Sequence, residues 1–172
     1  MEFVKTKLEG VILVKPDAFE DFRGSYTETY NKDLYFKNGI AVDFVADDYS
    51  VSSKHVLRGL HGDDKTWKLI DCRHGKFYFV VLNVVEGSPQ YGEWESFTLT
   101  DTNHFQVLVP PKFANGHLAL TDKIIFNYKQ SEYYDPKGQF TYQWNDSRFK
   151  VWWPIKTPIL SRRDEEGRYV AQ

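Results

Sequence analysis

The sequence predicts an all-β fold, an antiparallel β-barrel or jelly roll with short peripheral helices. Short runs of strand-forming residues recur at intervals of roughly 8–12 residues, separated by turn residues, as in sandwiches and barrels. Aromatic residues make up 17% of the chain, and they favour half-buried sheet surfaces and line ligand pockets. At 172 residues the chain can bury one sizeable core, so we expect residues 1–172 to form a single domain.

Individual strands follow from hydrophobic patterning. Ile40, Val42 and Phe44 alternate with polar or small residues at the period of two typical of a strand. Residues 76–85 are apolar on both alternating faces, which predicts a strand buried on both sides. The predicted strands are Gly10–Lys15, Gly39–Val45, Trp67–Cys72, Lys76–Val85, Glu93–Thr100, Phe105–Val109, His117–Leu120 and Lys123–Lys129.

The segments between these strands carry turn and helix signals. Arg73-His74-Gly75 predicts a hairpin turn between its two flanking strands. Helix signals are weak and predict one or two turns at Asn31–Lys37 and a further short helix at Ser161–Gly167. The Pro-bearing tail from Trp153 to Arg168 is expected to pack across the domain.

Charge and hydrophobicity exclude several classes of protein. The formal charge is −2, from 22 Lys and Arg against 24 Asp and Glu, so no net positive field would attract nucleic acid. The chain has neither an apolar run of the ~20 residues that span a bilayer nor the apolar core of a signal peptide. We therefore expect a cytoplasmic protein that has no membrane partner. Cys72, the single cysteine, lies in an apolar run and is predicted to be a buried thiol.

Some polar residues stand where chemistry is possible, although each also has an ordinary structural interpretation. Arg58 and His61 flank Gly59 at a spacing that an irregular segment can aim inward, but a lone histidine in a β protein is commonly structural. Lys68 interrupts an apolar run and would point either into a cavity or outward to solvent. Tyr128 lies on a predicted strand, where tyrosines usually belong to the core, and Arg23 lies in a loop that suits phosphate binding.

The ordered set of motifs is more specific than any one of them. The set comprises residues 19–28 (FEDFRGSYTE), 57–61 (LRGLH), 68–69 (KL), 88–94 (SPQYGEW), 113–116 (FANG), 128–129 (YK), 133–134 (YY), 144–146 (WND), 153–154 (WP) and 160–164 (LSRRD). In these motifs and their order, the chain resembles the dTDP-4-dehydrorhamnose 3,5-epimerase family of cupin-like barrels over nearly its whole length.

The resemblance implies an epimerase of nucleotide-linked 4-keto sugars that needs no cofactor and no metal. In the family, His61 matches the catalytic base, Asp164 the carboxylate that orients it, Tyr128 the acid on the opposite sugar face, and Lys68 the cation near the ketone oxygen. Arg23 and Arg58 match the family's diphosphate clamps. The other candidate substrate contacts are Glu28, Asp47, Asp48, Asn115, His117 and Tyr134. The resemblance also implies a homodimer that exchanges N-terminal strands, so that each pocket borrows residues from its partner.

Departures from the family pattern lie where substrate is expected to bind. Ala46 and Asp48 replace the usual Gln and Asn, the segment 62–67 is shortened, and the usual Phe-Ala-His-Gly becomes Phe-Ala-Asn-Gly-His, which moves the histidine two positions along the same strand face to 117. Aspartates suit the N1–H and amino group of guanine better than thymine, so Asp47, Asp48, Asp63 and Asp64 favour GDP as the nucleotide. The run Gly62–Leu69 resembles the subgroup of the family that acts on GDP-4-keto-heptoses for capsule polysaccharide.

Alternatives remain beside this interpretation. A dTDP-4-keto-6-deoxyhexose is the alternative substrate, and the sequence does not distinguish inversion at C3, at C5 or at both carbons. A metal-dependent cupin would use His61 and His117 as ligands, but the usual His-x-His pair is absent because residue 63 is Asp. A non-catalytic sugar-binding cupin would not need the intact His61, Tyr128 and Asp164.

Overall fold

A computed structural model describes residues 1–167 and is nearly all β, which confirms the predicted fold class. Two short helices, α1 (Lys32–Lys37) and α2 (Arg162–Glu166), confirm the helices predicted near these positions. The strands are β1 Glu2–Lys5, β2 Ile12–Lys15, β3 Ala18–Asp21, β4 Gly24–Thr27, β5 Ala46–Ser53, β6 Leu57–Asp63, β7 Lys68–His74, β8 Lys76–Asn83, β9 Trp94–Thr100, β10 Gln106–Val109, β11 Phe113–Ala119, β12 Lys123–Gln130 and β13 Gln139–Thr141.

Two antiparallel sheets face each other across the core. The first sheet has the strand order β1-β2-β10-β7-β12-β5, and the second has the order β13-β6-β11-β8-β9. Strands β3 and β4 form a separate hairpin. Apart from the consecutive pairs β1-β2 and β8-β9, neighbouring strands are distant in sequence, because the chain alternates between the sheets, as it does in a jelly roll.

Apolar side chains fill three layers. Between the sheets, Ile70 and Phe126 of the first sheet pack with Phe77, Phe79 and other residues of the second. The outer face of the second sheet is covered by the C-terminal tail, and the outer face of the first sheet is covered by α1 and the segment that follows it. Both sheets are therefore covered on both faces over much of their area.

Several predicted features are confirmed. Strand β8 is buried on both faces, with Phe77 and Phe79 in the central layer and Val80 and Leu82 beneath the tail. Cys72 is buried. The tail packs across the domain as far as it is described: Trp153 is buried, and Ile159 forms an isolated bridge with Val56. Arg168, the last residue of the predicted tail segment, lies outside the described residues.

The predicted strand at Gly39–Val45 is wrong. Ile40 and Val42 are buried and Phe44 packs beside them, so the alternating pattern does report burial against the first sheet. Gly39 N and Ile40 N donate to carbonyls at the end of α1, at 3.2 and 2.9 Å, and Val45 N donates to Gln130 O of β12 at 2.8 Å. The strand β5 begins only at Ala46. Alternation reports which side chains are covered, whereas a strand also needs a hydrogen-bonded neighbour.

The predicted hairpin at Arg73-His74-Gly75 is also wrong. Strands β7 and β8 flank this turn but belong to different sheets, so they do not pair. Gly75 has φ +76°, and a Cβ there would lie 2.3 Å from the Lys123 carbonyl oxygen. Gly75 therefore allows the tight turn by which the chain passes from the first sheet to the second. Among residues 1–167, no helix is long and apolar enough to cross a membrane.

Candidate active site

A cavity of about 400 Å³ opens between the two sheets. It brings together eight of the predicted site residues: Asp48, Arg58, His61, Lys68, Asn115, His117, Tyr128 and Tyr134. Both sheets contribute walls, since Tyr128 is on β12 of the first sheet and His61 is on β6 of the second. The remaining lining residues are Ser50, Phe126, Gln130, Gln139 and Arg163.

A bulge in β6 aims Arg58 and His61 at the same cavity. On a regular strand, residues three apart point to opposite faces. Here His61 pairs with Asn115 and Arg58 pairs with His117, so three steps on β6 oppose two on β11. Gly59 lies inside the bulge at φ +144°, where a Cβ would approach the Gly116 Cα to 2.5 Å. The glycine is needed for this close approach, and the extra residue reverses the alternation.

His61 and Asp164 form a hydrogen-bonded pair in which the carboxylate is buried and the imidazole is partly exposed. His61 Nε2 lies 2.6 Å from Asp164 Oδ1, and the same oxygen accepts from the Gly59 N–H at 3.0 Å. Ser161 caps α2 and donates its hydroxyl to Asp164 Oδ2 at 2.6 Å. Asp164 is only 2% exposed, so it lies beneath the histidine and not on the cavity wall.

Burial and hydrogen bonding act in opposite directions on this pair. Burial lowers the pKa of His61, while the hydrogen bond and charge of Asp164 raise it; the net shift is downward. Burial would raise the pKa of Asp164, but hydrogen bonds from His61, Ser161 and Gly59 outweigh it and leave this pKa below its ordinary value. The pair therefore presents a neutral imidazole that is oriented by an ionised carboxylate.

Tyr128 faces the cavity from the sheet opposite His61. Burial raises the pKa of its phenol, the Asp48 carboxylate adds to the shift, and Arg58 opposes it. The phenol thus stays protonated at neutral pH and can donate a proton or a hydrogen bond. The arrangement places a neutral base and a neutral acid on two walls of one cavity.

Lys68 points into the cavity, which decides between the two orientations that the sequence allowed. It is the first residue of β7 and lines the wall with Arg163. Burial lowers the pKa of Lys68; the Asp63 carboxylate opposes this shift and Arg163 adds to it. Cationic side chains in a partly desolvated cavity are suited to stabilising a developing negative charge.

Arg58 and Asp48 lie on the wall nearest β5. Arg58 Nε donates to Ser52 Oγ at 3.0 Å, and its Nη2 donates to the Val51 carbonyl at 3.3 Å. Asp48 Oδ2 accepts from Gln130 Nε2 at 2.7 Å. Both side chains are held by neighbours of the same wall and present charges of opposite sign to a ligand.

Asn115 and His117, the two polar residues of the shifted motif, line the same cavity. Asn115 Nδ2 donates to the His61 carbonyl oxygen at 3.0 Å. His117 stacks on Phe126 with ring centroids 4.1 Å apart. Burial lowers the pKa of His117 to about 3, and the charges of Arg58 and His61 act in the same direction, so its imidazole is neutral.

Three predicted substrate contacts do not reach the cavity of their own chain. Arg23 lies in the β3–β4 hairpin and pairs with Asp21 at 2.6 Å. Glu28 Oε2 accepts from Asn31 Nδ2 at 3.2 Å. Asp47 pairs with Lys129 at 2.6 Å on the outer side of the first sheet. Among residues 1–167, the cavity wall includes none of these three residues, Arg23, Glu28 and Asp47.

Asp63 does not serve as the free acceptor that the sequence suggested for guanine. One of its oxygens accepts from Lys65 N, Thr66 N and Thr66 Oγ1 at 2.7–2.9 Å, and the other accepts from Gln139 Nε2 at 2.7 Å. These bonds hold the tight turn after β6. The neighbouring Asp64 is exposed and lies outside the cavity.

The cavity also contains residues that the sequence analysis did not single out. Arg163 directly precedes Asp164 and donates from Nε to Thr141 Oγ1 at 2.8 Å; its position in the quoted tail motif was the available signal. Gln130 follows Tyr128 by two on the same strand face, a spacing that alternation could have revealed. The same spacing applies to Phe126, two residues before Tyr128, and to Ser50, two residues after Asp48 on β5. Gln139 gave no local signal, because its placement depends on sheet pairing.

Only two histidines line the cavity. No group of three or more His, Cys, Asp or Glu side chains suited to a metal ion occurs in the described part of the chain.

Comparisons with known proteins identify the family. The family model described as dTDP-4-dehydrorhamnose 3,5-epimerase matches residues 5–172. A relative of that name from Escherichia coli is 37% identical, covering 96% of this chain and 92% of its own. A second, from Methanothermobacter thermautotrophicus, is 36% identical over the same shares.

Solved structures give the same result. A dTDP-4-dehydrorhamnose 3,5-epimerase from Bacillus anthracis, with TDP and pyrophosphate bound, superposes with a TM-score of 0.94 at 34% identity and covers 98% of this chain and 99% of its own. A dTDP-6-deoxy-D-glucose-3,5-epimerase from Legionella pneumophila, in complex with dTDP-4-keto-L-rhamnose, has a TM-score of 0.92 at 29% identity, with 99% coverage of both chains. The chain therefore belongs to the dTDP-4-dehydrorhamnose 3,5-epimerase family of isomerases.

Proposed function

We propose that this protein inverts one or both carbon centres beside the C4 ketone of a nucleotide-linked 4-keto sugar. The single observation that carries the proposal is the presence of His61, held by Asp164, and Tyr128 on opposing sheets of one cavity. Inversion needs a proton to leave one face of the sugar and another to arrive on the opposite face. Two proton-transfer groups on two walls meet that need.

Proton removal is assigned to His61. A C–H bond beside a ketone is a weak acid whose conjugate base is an enolate, with its charge on the ketone oxygen. The neutral imidazole accepts the proton, and the Asp164 carboxylate stabilises the imidazolium that forms. Lys68 supports the enolate oxygen electrostatically, and the burial that keeps water from its ammonium group strengthens that interaction.

Proton return is assigned to Tyr128. Its raised pKa keeps the phenol protonated at neutral pH, and its position across from His61 allows it to deliver a proton to the other face. His61 returns a proton only to the face from which it took one. A site that lacked the phenol would exchange protons without inverting the carbon.

A dTDP-linked 4-keto-6-deoxy sugar is the proposed substrate. The curated relatives at 36–37% identity are named for dTDP-4-dehydrorhamnose, and two of the solved relatives carry TDP or a dTDP-linked keto sugar. These names favour the dTDP alternative over the GDP-linked heptose that the sequence departures suggested.

A GDP-linked 4-keto heptose is the second candidate, and one observation favours it. Asp48 lines the cavity and offers a carboxylate acceptor of the kind that guanine N–H groups prefer. The support is narrower than the sequence suggested, because Asp47, Asp63 and Asp64 do not line the cavity. Capsule polysaccharide as the end product rests on this candidate alone.

The proposed function is tested by incubating the protein with dTDP- and GDP-linked 4-keto sugars in deuterated water. Mass spectrometry counts the deuterons that enter the sugar, and NMR locates them at C3 or C5 and reports the configuration. Deuterium uptake with inversion for the dTDP series supports the proposal, and uptake confined to the GDP series supports the second candidate. No uptake from either series, by protein that binds the substrates, would make the chain a sugar-binding protein.

We further propose that two chains share each site as a homodimer. Arg23 and Glu28 are remote from their own cavity, and the hairpin that carries Arg23 exposes Phe19, Phe22 and Tyr26 at 66%, 97% and 68%. Exposed aromatics on a projecting hairpin are suited to pairing with a second copy.

Subunit mixing tests the shared site. The His61→Asn and Arg23→Ala variants are each expected to be inactive or weakened as homodimers. If Arg23 serves the partner's cavity, mixed dimers contain one intact site and recover activity after the subunits are exchanged. Absence of recovery in mixtures that demonstrably contain mixed dimers would place Arg23 outside the partner's site.

A further inference from the structure

His117 is a buried polar group with an unmet hydrogen-bonding capacity. The residue is 4% exposed, it lines the cavity, and its Nε2 has no hydrogen-bond partner within residues 1–167. Its ring lies against Phe77 and Phe126, at centroid distances of 5.5 and 4.1 Å. Burying a polar nitrogen without a partner disfavours folding, so an apolar ring would serve a purely structural role better.

The proposed mechanism does not use this imidazole. Its pKa, about 3, leaves it uncharged, so it can be neither a cationic clamp for phosphate nor a source of the positive charge that Lys68 and Arg58 supply. A neutral imidazole carries one donor and one acceptor nitrogen. A sugar hydroxyl, which also donates and accepts, is its natural complement.

The position of His117 indicates that it contacts the sugar and not the nucleotide. His117 pairs across the sheet with Arg58, and Asn115 on the same strand pairs with His61. The histidine is more buried than His61, whose side chain is 26% exposed. The keto sugar must enter the cavity far enough to reach His61, and His117 is more buried than His61. The ligand group that contacts His117 therefore belongs to the sugar, while the diphosphate and the nucleotide's base extend toward the opening.

We propose that His117 is a specificity-determining residue that binds a hydroxyl group of the sugar. This inference rests on the proposed function, because it takes the ligand to be a nucleotide-linked sugar. It assigns His117 no proton transfer. The side chain positions the ring and selects sugars that carry a hydroxyl at the position it meets.

Binding to unreactive ligands tests the inference separately from turnover. dTDP-glucose and GDP-glucose carry a hydroxyl at C4 in place of the ketone, so the proposed chemistry does not consume them, and dTDP and GDP lack the sugar. Calorimetry would compare the wild type with His117→Phe, which keeps an aromatic ring for the Phe126 stack, and with His117→Gln, which keeps a donor and an acceptor. Thermal melting checks that each variant is folded, and His117→Leu replaces His117→Phe if the phenylalanine variant does not fold.

The expected result is a split between ligands. His117→Phe should lower the affinity for the glucose derivative of the preferred nucleotide about 3- to 10-fold, the effect of one neutral hydrogen bond, and should leave the affinity for the bare diphosphate unchanged. His117→Gln should lose less. In turnover of the keto sugar, His117→Phe should raise KM more than it lowers kcat.

Two results would overturn the inference. Equal losses for the glucose derivative and the bare diphosphate would place His117 against the phosphates, and unchanged affinity for both would make it structural. Failure of the wild type to bind any nucleotide sugar would instead contradict the proposed function.

Discussion

Replacing Asp164 with Asn removes one charge from beneath the proposed base while keeping the shape of the side chain. The carboxylate accepts three hydrogen bonds, from His61, from the Gly59 N–H and from the Ser161 hydroxyl. An amide offers a single acceptor oxygen, so at least one of the bonds to Oδ1 and Oδ2 is lost. The imidazolium that forms when His61 takes the proton then lacks its counter-charge.

The size of the effect follows from this geometry. A hydrogen bond to a charged group contributes roughly 1.5–3 kcal/mol, which corresponds to a rate factor of about 10 to 150. The bond is short, at 2.6 Å, and Asp164 is 2% exposed, so solvent screens it little. We expect Asp164→Asn to slow deuterium uptake by a factor within or above this range.

The same substitution should change the pH dependence. The wild-type His61 pKa lies below its ordinary value because burial outweighs the Asp164 charge, so exchange should persist below about pH 6.5 and fall as His61 becomes protonated. Removing the carboxylate removes the contribution that raises this pKa. The acid limb of Asp164→Asn should therefore move to still lower pH, although the rate on the plateau is smaller.

The assay is deuterium incorporation into the 4-keto sugar as a function of pH, with thermal melting as a check on folding. Glu165→Gln is a matched control, because it removes an exposed carboxylate from the neighbouring position of α2 and should change neither rate nor acid limb. If Asp164→Asn exchanged at the wild-type rate with an unmoved acid limb, His61 would not depend on this carboxylate and the assigned pair would be wrong.

Three further predictions concern other residues of the site and its supporting turn. Lys68→Met should slow exchange about 100- to 1,000-fold while calorimetry shows nucleotide binding retained; full activity would exclude Lys68 as the enolate's cation. Tyr128→Phe should keep deuterium uptake from the His61 face but reduce inversion seen by NMR, and undiminished inversion would require another acid. Asp63→Ala should lower the unfolding free energy by about 1–3 kcal/mol in denaturant titrations, because it strands buried donors. Its exposed neighbour provides the control, Asp64→Ala, which should stay within about 0.5 kcal/mol, and equal effects would contradict the structural role given to Asp63.

Strand β8, an interior strand of the second sheet, shows what hydrophobic patterning can predict. Residues on both faces of β8 are apolar, and both faces are buried, one between the sheets and one beneath the tail. Burial of alternate side chains is a local property of the sequence. Backbone pairing is not local, which is why the apolar alternation at Ile40 and Val42 reported burial correctly and strand formation wrongly.

The site residues show the same difference between local and non-local information. Their identities were available through the ordered motifs, but the inward orientation of Lys68 was open because it depends on the sheet that β7 joins. The shared direction of Arg58 and His61 depends on a bulge that exists only in the pairing of β6 with β11. Pairing between strands more than fifty residues apart leaves no periodic trace in either strand.

The bulge and the base are parts of one structural feature. Asp164 Oδ1 accepts both from His61 Nε2 and from the Gly59 N–H, so one oxygen of the tail holds the bulged backbone and the side chain that the bulge aims. Gly59 can occupy that position because it lacks a Cβ, which would otherwise lie 2.5 Å from Gly116 Cα. A methyl group there would push β6 away from β11 and would carry His61 with it. The position of the proposed base, His61, therefore also depends on Gly59, on Gly116 and on the side-chain carboxylate of Asp164 in the C-terminal tail.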